Sequence, residues 1–430
     1  MKLRQFTLAN VRLFGEAQQS IDINPDKNII IILGDNGSGK TTVLDTINIL
    51  LSSYTSAFPG KSVKQFSQWD VHTDGVRHQA GYLTATADIE VDGRDECIPV
   101  RRYRAGRNKA PKSDMAEIRA YGEAIKECID QNIDVELPVV AYYSTGRGRI
   151  EAPERKRNFQ KVFNRWDCYD NVHEADTNFK RFFAWFDLME DEERREQGRL
   201  RDFDYRNPVL EAVRMAVERM VDNFRKPRIE TKPLRFVVDQ LMPDGSKREL
   251  RIEQLSDGYK IAIAMVADIA ARMAEANPHK ENPLLTSGII LIDEVDLHLH
   301  PQWQRTILKN LHDIFPNVQF IVTTHSPSVI LGALDIAQII KTEGGELLTE
   351  DVDKFFNYDV SRLLLSNLFE LENVRTDMYQ ELLRQRIEIA NKRDDLSVED
   401  IATRETLDSL LANYTSVQVE DLKALIQALK

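Results

Sequence analysis

One short stretch of this chain has the residue types and the spacing of a phosphate-binding loop. Residues 34–41 read Gly-Asp-Asn-Gly-Ser-Gly-Lys-Thr, between the apolar run 29–33 and the helix-like segment 43–50. A strand, a loop and a helix in this order distinguish a true phosphate loop from a chance match. Glycines let backbone N–H groups surround a phosphate, and the N-terminus of the next helix adds positive potential. The predicted phosphate ligands are Asn36, Gly37, Ser38, Gly39, Lys40, Thr41 and Thr42.

Two carboxylates later in the chain complete the chemistry that such a loop needs. Residues 288–294 form an apolar run that ends in Asp293 and Glu294, which predicts a buried strand. Side chains alternate along a strand, so the two carboxylates point in different directions. Asp293 and the Thr41 hydroxyl are predicted to hold Mg²⁺, and Glu294 to polarise the attacking water. With Lys40 on the β- and γ-phosphates, the sequence predicts a Mg²⁺-dependent ATPase.

Two weaker signals lie near these carboxylates in the sequence. Ser256, Asp257 and Gly258 open a helix-like run over 260–276, where a hydroxyl and free N–H groups would suit an anion. Ser256 could equally be an ordinary helix cap, and Asp257 places a negative charge at the stabilising end of the helix. The apolar run 320–324 predicts a strand that ends at His325. Their order after the phosphate loop favours a role for all four at the nucleotide.

Composition limits the class of protein and its location. The 430 residues suffice for two or three domains, and 42% hydrophobic with 29% charged residues is ordinary for a water-soluble chain. No run approaches the roughly 20 apolar residues of a membrane helix, and residues 1–5 lack the apolar core of a signal peptide. Three widely spaced cysteines suit a reducing compartment. We expect a cytoplasmic protein that does not enter a membrane.

The pattern of hydrophobic residues divides the chain into four parts. Residues 1–145 are predicted to be an ATPase lobe with the phosphate loop and a hairpin around Asp92-Gly93, and 146–250 a mostly helical insertion. Residues 234–252 alternate as a second hairpin, and the aromatic stripe 179–186 has the spacing of a core-facing helix. Residues 251–345 would carry the Ser256 helix, both carboxylates and His325. Residues 346–430 are predicted to be a helical region, either a subdomain with solvated faces or a surface that docks a partner.

Charge is unevenly distributed in this acidic chain. The formal net charge is −12, which argues against a general nucleic-acid coat protein. Residues 101–112 nevertheless contain six basic residues and no acidic one, whereas 350–430 contain 17 acidic and 10 basic residues, about −7. The basic segment is either a solvated loop or a local contact with nucleic acid.

Four motifs together resemble the ABC-type ATPases related to SMC, RecF and the overcoming-lysogenization-defect class. They are the phosphate loop, the segment around Ser256, the run that ends in Asp293 and Glu294, and the run that ends at His325. The opening 6–14, Phe-Thr-Leu-Ala-Asn-Val-Arg-Leu-Phe, resembles the same group, in which an arginine at the position of Arg12 lies near the phosphates. Residues 142–147 also look like a feature of the family near the nucleotide. The resemblance implies an α/β fold: an ABC-type P-loop nucleotide-binding domain with a helical insertion and an all-helical C-terminal extension. The chain is similar to the PtuA family of Septu anti-phage systems, whose members also accompany some retron reverse transcriptases.

The resemblance also implies partners. ABC-type ATPases form a head-to-tail dimer in which the loop around Ser256 binds the γ-phosphate held by the other protomer, and His325 resembles their switch histidine. The PtuA family implies further oligomerisation and an HNH nuclease of the PtuB type, with a reverse transcriptase and its msDNA, or DNA, in some systems. Residues 326–430 contain neither histidine nor cysteine, so an HNH site would have to come from the partner.

Other functions fit parts of the sequence. The basic segment favours a DNA-repair or DNA-clamping ATPase that acts directly on DNA. Asp257, in place of the usual glycine, is compatible with a nucleotide-sensing scaffold of negligible turnover. A transporter ATPase is disfavoured by the length of the insertion and of the tail. His298 and His300 are spaced like metal ligands, but no third ligand is evident.

Overall fold

The apolar runs of the sequence form strands in the computed structural model, which describes residues 1–75, 78–148, 163–174, 179–231, 234–371, 377–391 and 403–408. In chain order the strands are β1 (Lys2–Ala9), β2 (Gln19–Asp22), β3 (Ile29–Leu33), β4 (Thr73–Asp74), β5 (His78–Gln79), β6 (Tyr82–Glu90), β7 (Ile98–Ala105), β8 (Val139–Tyr143), β9 (Phe224–Thr231), β10 (Leu234–Leu241), β11 (Lys247–Arg251), β12 (Gly288–Ile292), β13 (Val318–Thr324), β14 (Ala337–Glu343) and β15 (Glu346–Glu350).

The α-helices fall mostly between these strands. They are α1 (Lys40–Thr55), α2 (Ala116–Asp130), α3 (Phe179–Leu200), α4 (Pro208–Met220), α5 (Asp257–Ala276), α6 (Pro301–Gln304), α7 (Ile307–Ile314), α8 (Pro327–Ala333), α9 (Val360–Leu364) and α10 (Asp377–Asn391). Among the described helices, none combines the length and the apolar character that crossing a bilayer requires.

The largest of the described sheets has six strands in the order β15-β14-β3-β13-β12-β8. All of its neighbouring pairs are parallel except β14 with β15. Strands β3, β8, β12 and β13 are buried along their whole length, which explains their unbroken apolar runs. Because parallel strands run in the same direction, their carboxyl ends meet at one edge, and the phosphate loop, Asp293 and His325 all follow such ends.

A four-stranded antiparallel sheet, β2-β1-β6-β7, contains the hairpin predicted around Asp92-Gly93. Buried and half-buried residues alternate along β6, as expected for a strand with one face on the core. The same alternation corrects one prediction about the basic segment. Arg102 lies on the core side of β7, is 2% exposed, and donates to the Lys64 backbone oxygen and the Gln65 side chain. It therefore does not belong to the exposed basic surface.

The region predicted as a mostly helical insertion contains both helices and strands. Helices α3 and α4 are followed by the sheet β11-β10-β9, in which β10 and β11 form the predicted hairpin over 234–252. Phe182, Phe183 and Phe186 are buried as the aromatic stripe predicted, while the side chain of Phe179 lies outside the described part. The insertion therefore has an apolar core of its own beside α5.

The region from residue 346 onward is not all-helical. It begins with β15, which turns back at Gly344-Gly345 and pairs antiparallel with β14 at the edge of the central sheet. Two glycines at positive φ make this tight reversal possible. The chain divides into a unit over Met1–Leu363 and a second over Leu364–Lys430. Within the second, α10 is described, whereas the helical pattern predicted at the end of the tail lies outside the described residues.

Candidate nucleotide site

The phosphate loop has the backbone conformation that its glycines predict. Gly37 and Gly39 have φ values of 81° and 106°, which favour glycine strongly. Nothing lies within 4 Å of a Cβ added to Gly37, whereas one added to Gly39 would come within 2.8 Å of the Phe14 ring. Helix α1 begins at Lys40, so the loop and the helix N-terminus form an open cradle of backbone N–H groups. This cradle fits the phosphates of a nucleotide.

Lys40 is held inside the loop. Its ammonium group donates to the Gly34 and Asp35 backbone oxygens at 2.7 and 2.8 Å, and the residue is only 7% exposed. Burial lowers the pKa of Lys40, and the nearby carboxylates of Glu294 and Asp293 counteract part of that effect. Neutral carbonyls are weaker acceptors than phosphate oxygens, so an arriving phosphate would compete well for these donors.

Asp293 joins the ends of three elements. Its carboxylate accepts hydrogen bonds from the Thr41 hydroxyl at 2.9 Å and the Thr323 hydroxyl at 2.5 Å, and its backbone N–H donates to the Tyr143 oxygen at 2.8 Å. Thr41 is exposed, while Asp293 is buried. A hydroxyl and a carboxylate meeting beside a phosphate cradle are oxygen donors of the kind that Mg²⁺ prefers. The pair of residues predicted to hold Mg²⁺ is therefore brought together.

Glu294 leaves the strand in an unusual backbone conformation. Its φ is +46°, which is costly for a residue with a side chain and common where a site requires it. The Glu294 N–H donates to the Thr323 hydroxyl at 2.7 Å, and the side chain is half-buried. The chain turns sharply at this residue, so its carboxylate leaves the strand end separately from that of Asp293.

Arg147 is a site residue that the sequence suggested only as part of a longer stretch. It is 3% exposed and donates to the backbone oxygens of Asp293, Glu294 and Ser144. Burial lowers its pKa to about 10, so the guanidinium stays charged at neutral pH. Arg147 thus fixes the backbone that carries both carboxylates. A basic residue soon after the apolar run 139–143, beside a glycine, was the available signal.

His325 lies at the end of β13, where the sequence predicted it. Its Nε2 atom is 3.8 Å from a carboxylate oxygen of Asp296, whose other oxygen accepts from the Thr324 hydroxyl at 2.5 Å. The imidazole is largely exposed. It therefore lies beside Asp296 and is open toward solvent, as a residue that contacts a ligand would be.

Arg12 is positioned against the helix that follows the phosphate loop. Its guanidinium pairs with Asp45 of α1 and with Asp70, both at 2.8 Å, and the Tyr142 hydroxyl donates to the other Asp45 oxygen. Burial lowers the pKa of Arg12, but the bonds to Asp45 and Asp70 outweigh it, so the pKa is raised overall. The prediction that Arg12 contacts phosphate stays a prediction.

The loop around Ser256 lies at the N-terminus of α5. Ser256 is the N-cap residue but its side chain makes no capping hydrogen bond, and Asp257 pairs with Lys260 at 3.1 Å. A Cβ at Gly258 would lie 2.7 Å from the His298 oxygen, so only glycine allows the helix to approach this turn. Residues 256–259 and the turn 298–303 line one cavity of about 760 Å³. The Ser256 hydroxyl and the free N–H groups of α5 therefore face open space.

His298 and His300 do not form a metal centre in the described part of the chain. Nowhere in that part do three His, Cys, Asp or Glu side chains cluster closely enough to hold a metal ion. His300 instead caps α6, where its Nδ1 atom accepts from the Gln302 N–H.

Two family models match the chain. The model described as "AAA domain" matches residues 5–212, and the one described as "AAA domain, putative AbiEii toxin, Type IV TA system" matches residues 152–331. A solved structure of an SMC head bound to the C-terminal winged-helix domain of ScpA aligns with 82% of this chain and 99% of its own, at a TM-score of 0.48 and 15% identity.

Two curated relatives indicate more narrowly which class of protein this chain resembles. The Retron Ec83 probable ATPase of Escherichia coli is 28% identical over 85% of this chain and 76% of its own length. The Septu protein PtuA of Bacillus mycoides is 34% identical over 40% of this chain and 27% of its own length. These matches confirm the prediction that the chain is similar to PtuA and to retron ATPases. The parallel sheet with its helices confirms the predicted α/β fold class.

Gly39→Ala provides a test of the phosphate cradle. The new methyl group would meet the Phe14 ring and force a strained φ, so we expect the affinity for ATP to fall at least about tenfold. Isothermal titration calorimetry with a slowly hydrolysed ATP analogue measures this loss. Gly198→Ala, in a helix with nothing within 4 Å of the new Cβ, is the matched control and should bind as the parent does. Equal affinity of the two variants would contradict the assignment.

Proposed function

We propose that this PtuA-like ATPase binds ATP and Mg²⁺ between the phosphate loop and the end of β12, and hydrolyses the γ-phosphate. The observation that carries the proposal is the 2.9 Å contact between Thr41 and Asp293, which joins the loop to the paired carboxylates. In this proposal Lys40 and the N–H groups of residues 36–42 hold the phosphates. Mg²⁺ bound by Thr41 and Asp293 would neutralise charge that develops during hydrolysis.

Hydrolysis is assigned to the two residues that follow the strand ends. Glu294 would accept a proton from the attacking water, because its half-buried carboxylate leaves the strand next to Asp293. His325 would contact the γ-phosphate with its exposed imidazole, which lies beside Asp296. Arg147 supports both steps by fixing the backbone of the two carboxylates.

The active assembly in this proposal is a head-to-tail dimer. Ser256, Asp257 and Gly258 line an open cavity at the N-terminus of α5, yet the chain's own phosphate loop is joined to a different edge, at Asp293. A second copy could supply its nucleotide to this cavity. The pairing of Asp257 with Lys260 reduces the negative charge that a phosphate would meet there. Ser256 and Gly258 would then be ligands of the partner's γ-phosphate.

The biological partner that fits this chain is an HNH nuclease of the PtuB type. The similarity to PtuA and to retron ATPases supports an anti-phage complex in the cytoplasm, in which ATP controls the nuclease. Higher oligomers, and a reverse transcriptase with its msDNA, fit the same similarity. We assign nuclease docking to the acidic tail after residue 346, because 350–430 carries an excess of acidic residues.

Glu294→Gln tests hydrolysis and dimerisation together. Loss of the base should lower the rate of phosphate release by about 100-fold or more, while ATP still binds. Trapped ATP should then shift the protein from monomer to dimer in sedimentation velocity. Glu281→Gln, an exposed glutamate outside the site, should behave as the parent. Turnover that is unchanged by Glu294→Gln would contradict the role of this residue, and a parent without turnover would favour the nucleotide-sensing scaffold.

A second function, direct binding of nucleic acid, is favoured by one surface. Five basic residues near the end of β7 are exposed, and no carboxylate of the described residues lies within ion-pair distance of any of them. In the rest of the described chain many basic side chains do have acidic partners. The five residues, which we call the β7 basic surface, are Arg101, Arg104, Arg107, Lys109 and Lys112.

The β7 basic surface is held in a defined shape. The chain reverses after β7, so that Arg101 and Asp114 exchange backbone hydrogen bonds and the Arg107 N–H donates to the Ala80 oxygen. In the same pair of strands the rings of Tyr82 and Tyr103 pack together, with centroids 6.4 Å apart. A segment that contains both exposed cations and aromatic rings suits a phosphate backbone with stacked bases.

Neutralising this surface tests the second function. The triple variant Arg104→Gln, Arg107→Gln and Lys109→Gln should weaken binding of a labelled single-stranded DNA, measured by fluorescence anisotropy over a salt series. Its salt slope should fall by about 2, at roughly 0.7 per lost phosphate contact. The control replaces the exposed Lys247, Arg248 and Arg251 of β11 by Gln, with the same change in charge. Equal losses in both triples would rule out a specific role for the β7 basic surface.

A further inference from the structure

Helix α5 carries three charged side chains that are almost entirely buried. Asp268, Arg272 and Glu275 are exposed by 1%, 3% and 6%, and their spacing of four and three residues places them on one face. Most of the other buried residues of α5 are alanine, isoleucine, valine and methionine. Buried charges are costly unless they are paired, so this face must meet specific partners.

The first partner belongs to the strand beside the candidate site. The Tyr143 hydroxyl donates to a carboxylate oxygen of Asp268 at 2.7 Å, and the Nε atom of Arg272 donates to the same oxygen at 2.7 Å. Tyr143 ends β8, and its backbone oxygen accepts the N–H of Asp293 at 2.8 Å. Asp293 is thus connected to α5 through one residue.

The other partners belong to the insertion. Arg272 also donates to the backbone oxygens of Cys168 and Asp170, at 2.6 and 3.0 Å. One turn further along α5, Glu275 pairs with Arg181 of α3. Burial raises the pKa of Glu275 to about 7, although the nearby Arg181 guanidinium acts to lower it. The charged form of Glu275 is therefore destabilised by its burial. The helix is therefore connected by charge both to β8 and to the insertion.

Buried ion pairs of this kind add little to stability compared with apolar residues of similar size, but they can specify one geometry. The Tyr143–Asp268–Arg272 network opposes rotation or sliding of α5 against β8, because each displaced partner would leave a buried polar group unsatisfied. Ser256 precedes Asp268 by twelve residues, or about 18 Å of helix at 1.5 Å per residue.

We propose that Tyr143, Asp268 and Arg272 are positioning residues that set the Ser256 end of α5 according to the state of the Asp293 site. Movement at the end of β12 reaches Tyr143 through the backbone, Tyr143 pulls on Asp268, and the helix transmits the shift to Ser256. The position of the loop around Ser256, which would bind the second copy's nucleotide, thereby depends on the state of the chain's own Asp293 site. This inference rests on the proposed dimer.

The test compares two buried tyrosines in the Glu294→Gln background. Tyr143→Phe removes the hydroxyl that contacts Asp268 of α5, and Tyr169→Phe removes a hydroxyl that donates to Tyr54 and to the Pro138 oxygen, neither of which belongs to α5. Both side chains are buried, so each variant should lower Tm by a similar amount. We expect only Tyr143→Phe to weaken ATP-dependent dimerisation, at least tenfold in sedimentation velocity, while both keep the parent's affinity for ATP within about twofold.

A second variant keeps the test decisive if Tyr143→Phe folds poorly. Arg272→Lys retains the charge but cannot maintain the planar contacts to Asp268 and to the two backbone oxygens together. It should also bind ATP normally and dimerise at least tenfold more weakly. In both cases the split between ATP affinity and dimerisation is the readout that a merely structural role would not produce.

The outcomes separate this inference from the proposed function. If the Glu294→Gln parent stays monomeric with ATP, the proposed dimer is wrong. If the parent dimerises but Tyr143→Phe and Arg272→Lys dimerise as well as Tyr169→Phe does, the network has no positioning role. If ATP affinity falls together with dimerisation in the variants, the residues support the fold of the nucleotide site and do not connect it to Ser256.

Discussion

The buried carboxylate of Asp293 is the constraint on which the candidate site depends. A charge that is 3% exposed must be compensated, and the structure supplies hydroxyl donors from Thr41 and Thr323. These two donors come from the helix after the phosphate loop and from the neighbouring strand β13. Satisfying one carboxylate therefore fixes the relative position of three strand ends. The parallel sheet favours this arrangement of strand ends, because β3, β13 and β12 end side by side.

The cations around this carboxylate are directed away from it. Lys40 donates to loop carbonyls and Arg147 to backbone oxygens, so neither forms an ion pair with Asp293 or Glu294. The two carboxylates thus keep oxygens for a divalent cation, and Lys40 keeps donors that can move to a phosphate. In the second exchange the Lys40 ammonium group would give up neutral carbonyl acceptors for charged phosphate oxygens, which bind it more strongly. This arrangement is what the proposed binding of ATP with Mg²⁺ would use.

The sequence predicted most of the elements of the site but few of their connections. Glycine spacing and unbroken apolar runs identified the phosphate loop, β12 and β13, because local backbone chemistry determines them. Arg102 was wrongly assigned to the exposed basic segment, because a charged residue in an alternating strand can point inward where a backbone oxygen accepts its hydrogen bond. The strand β15 was missed, since a short polar edge strand has no strong pattern. Asp268 and Arg272 look like an ordinary exposed pair at helical spacing, and only the fold shows that they are buried.

The end of β8 connects more parts of the molecule than its position at a sheet edge would suggest. Successive side chains of a strand point to opposite faces, so Tyr142 and Tyr143 reach different helices. Tyr142 donates to Asp45 of α1, where Arg12 also binds, while Tyr143 donates to Asp268 of α5. Arg147, in the short turn after β8, donates hydrogen bonds to the backbone oxygens of Asp293 and Glu294. One short segment thus contacts the phosphate-loop helix, the Ser256 helix and the carboxylate turn. A small shift of this segment would be felt by all three, which makes it the natural route by which nucleotide chemistry could be communicated to the surfaces that we propose bind a second copy.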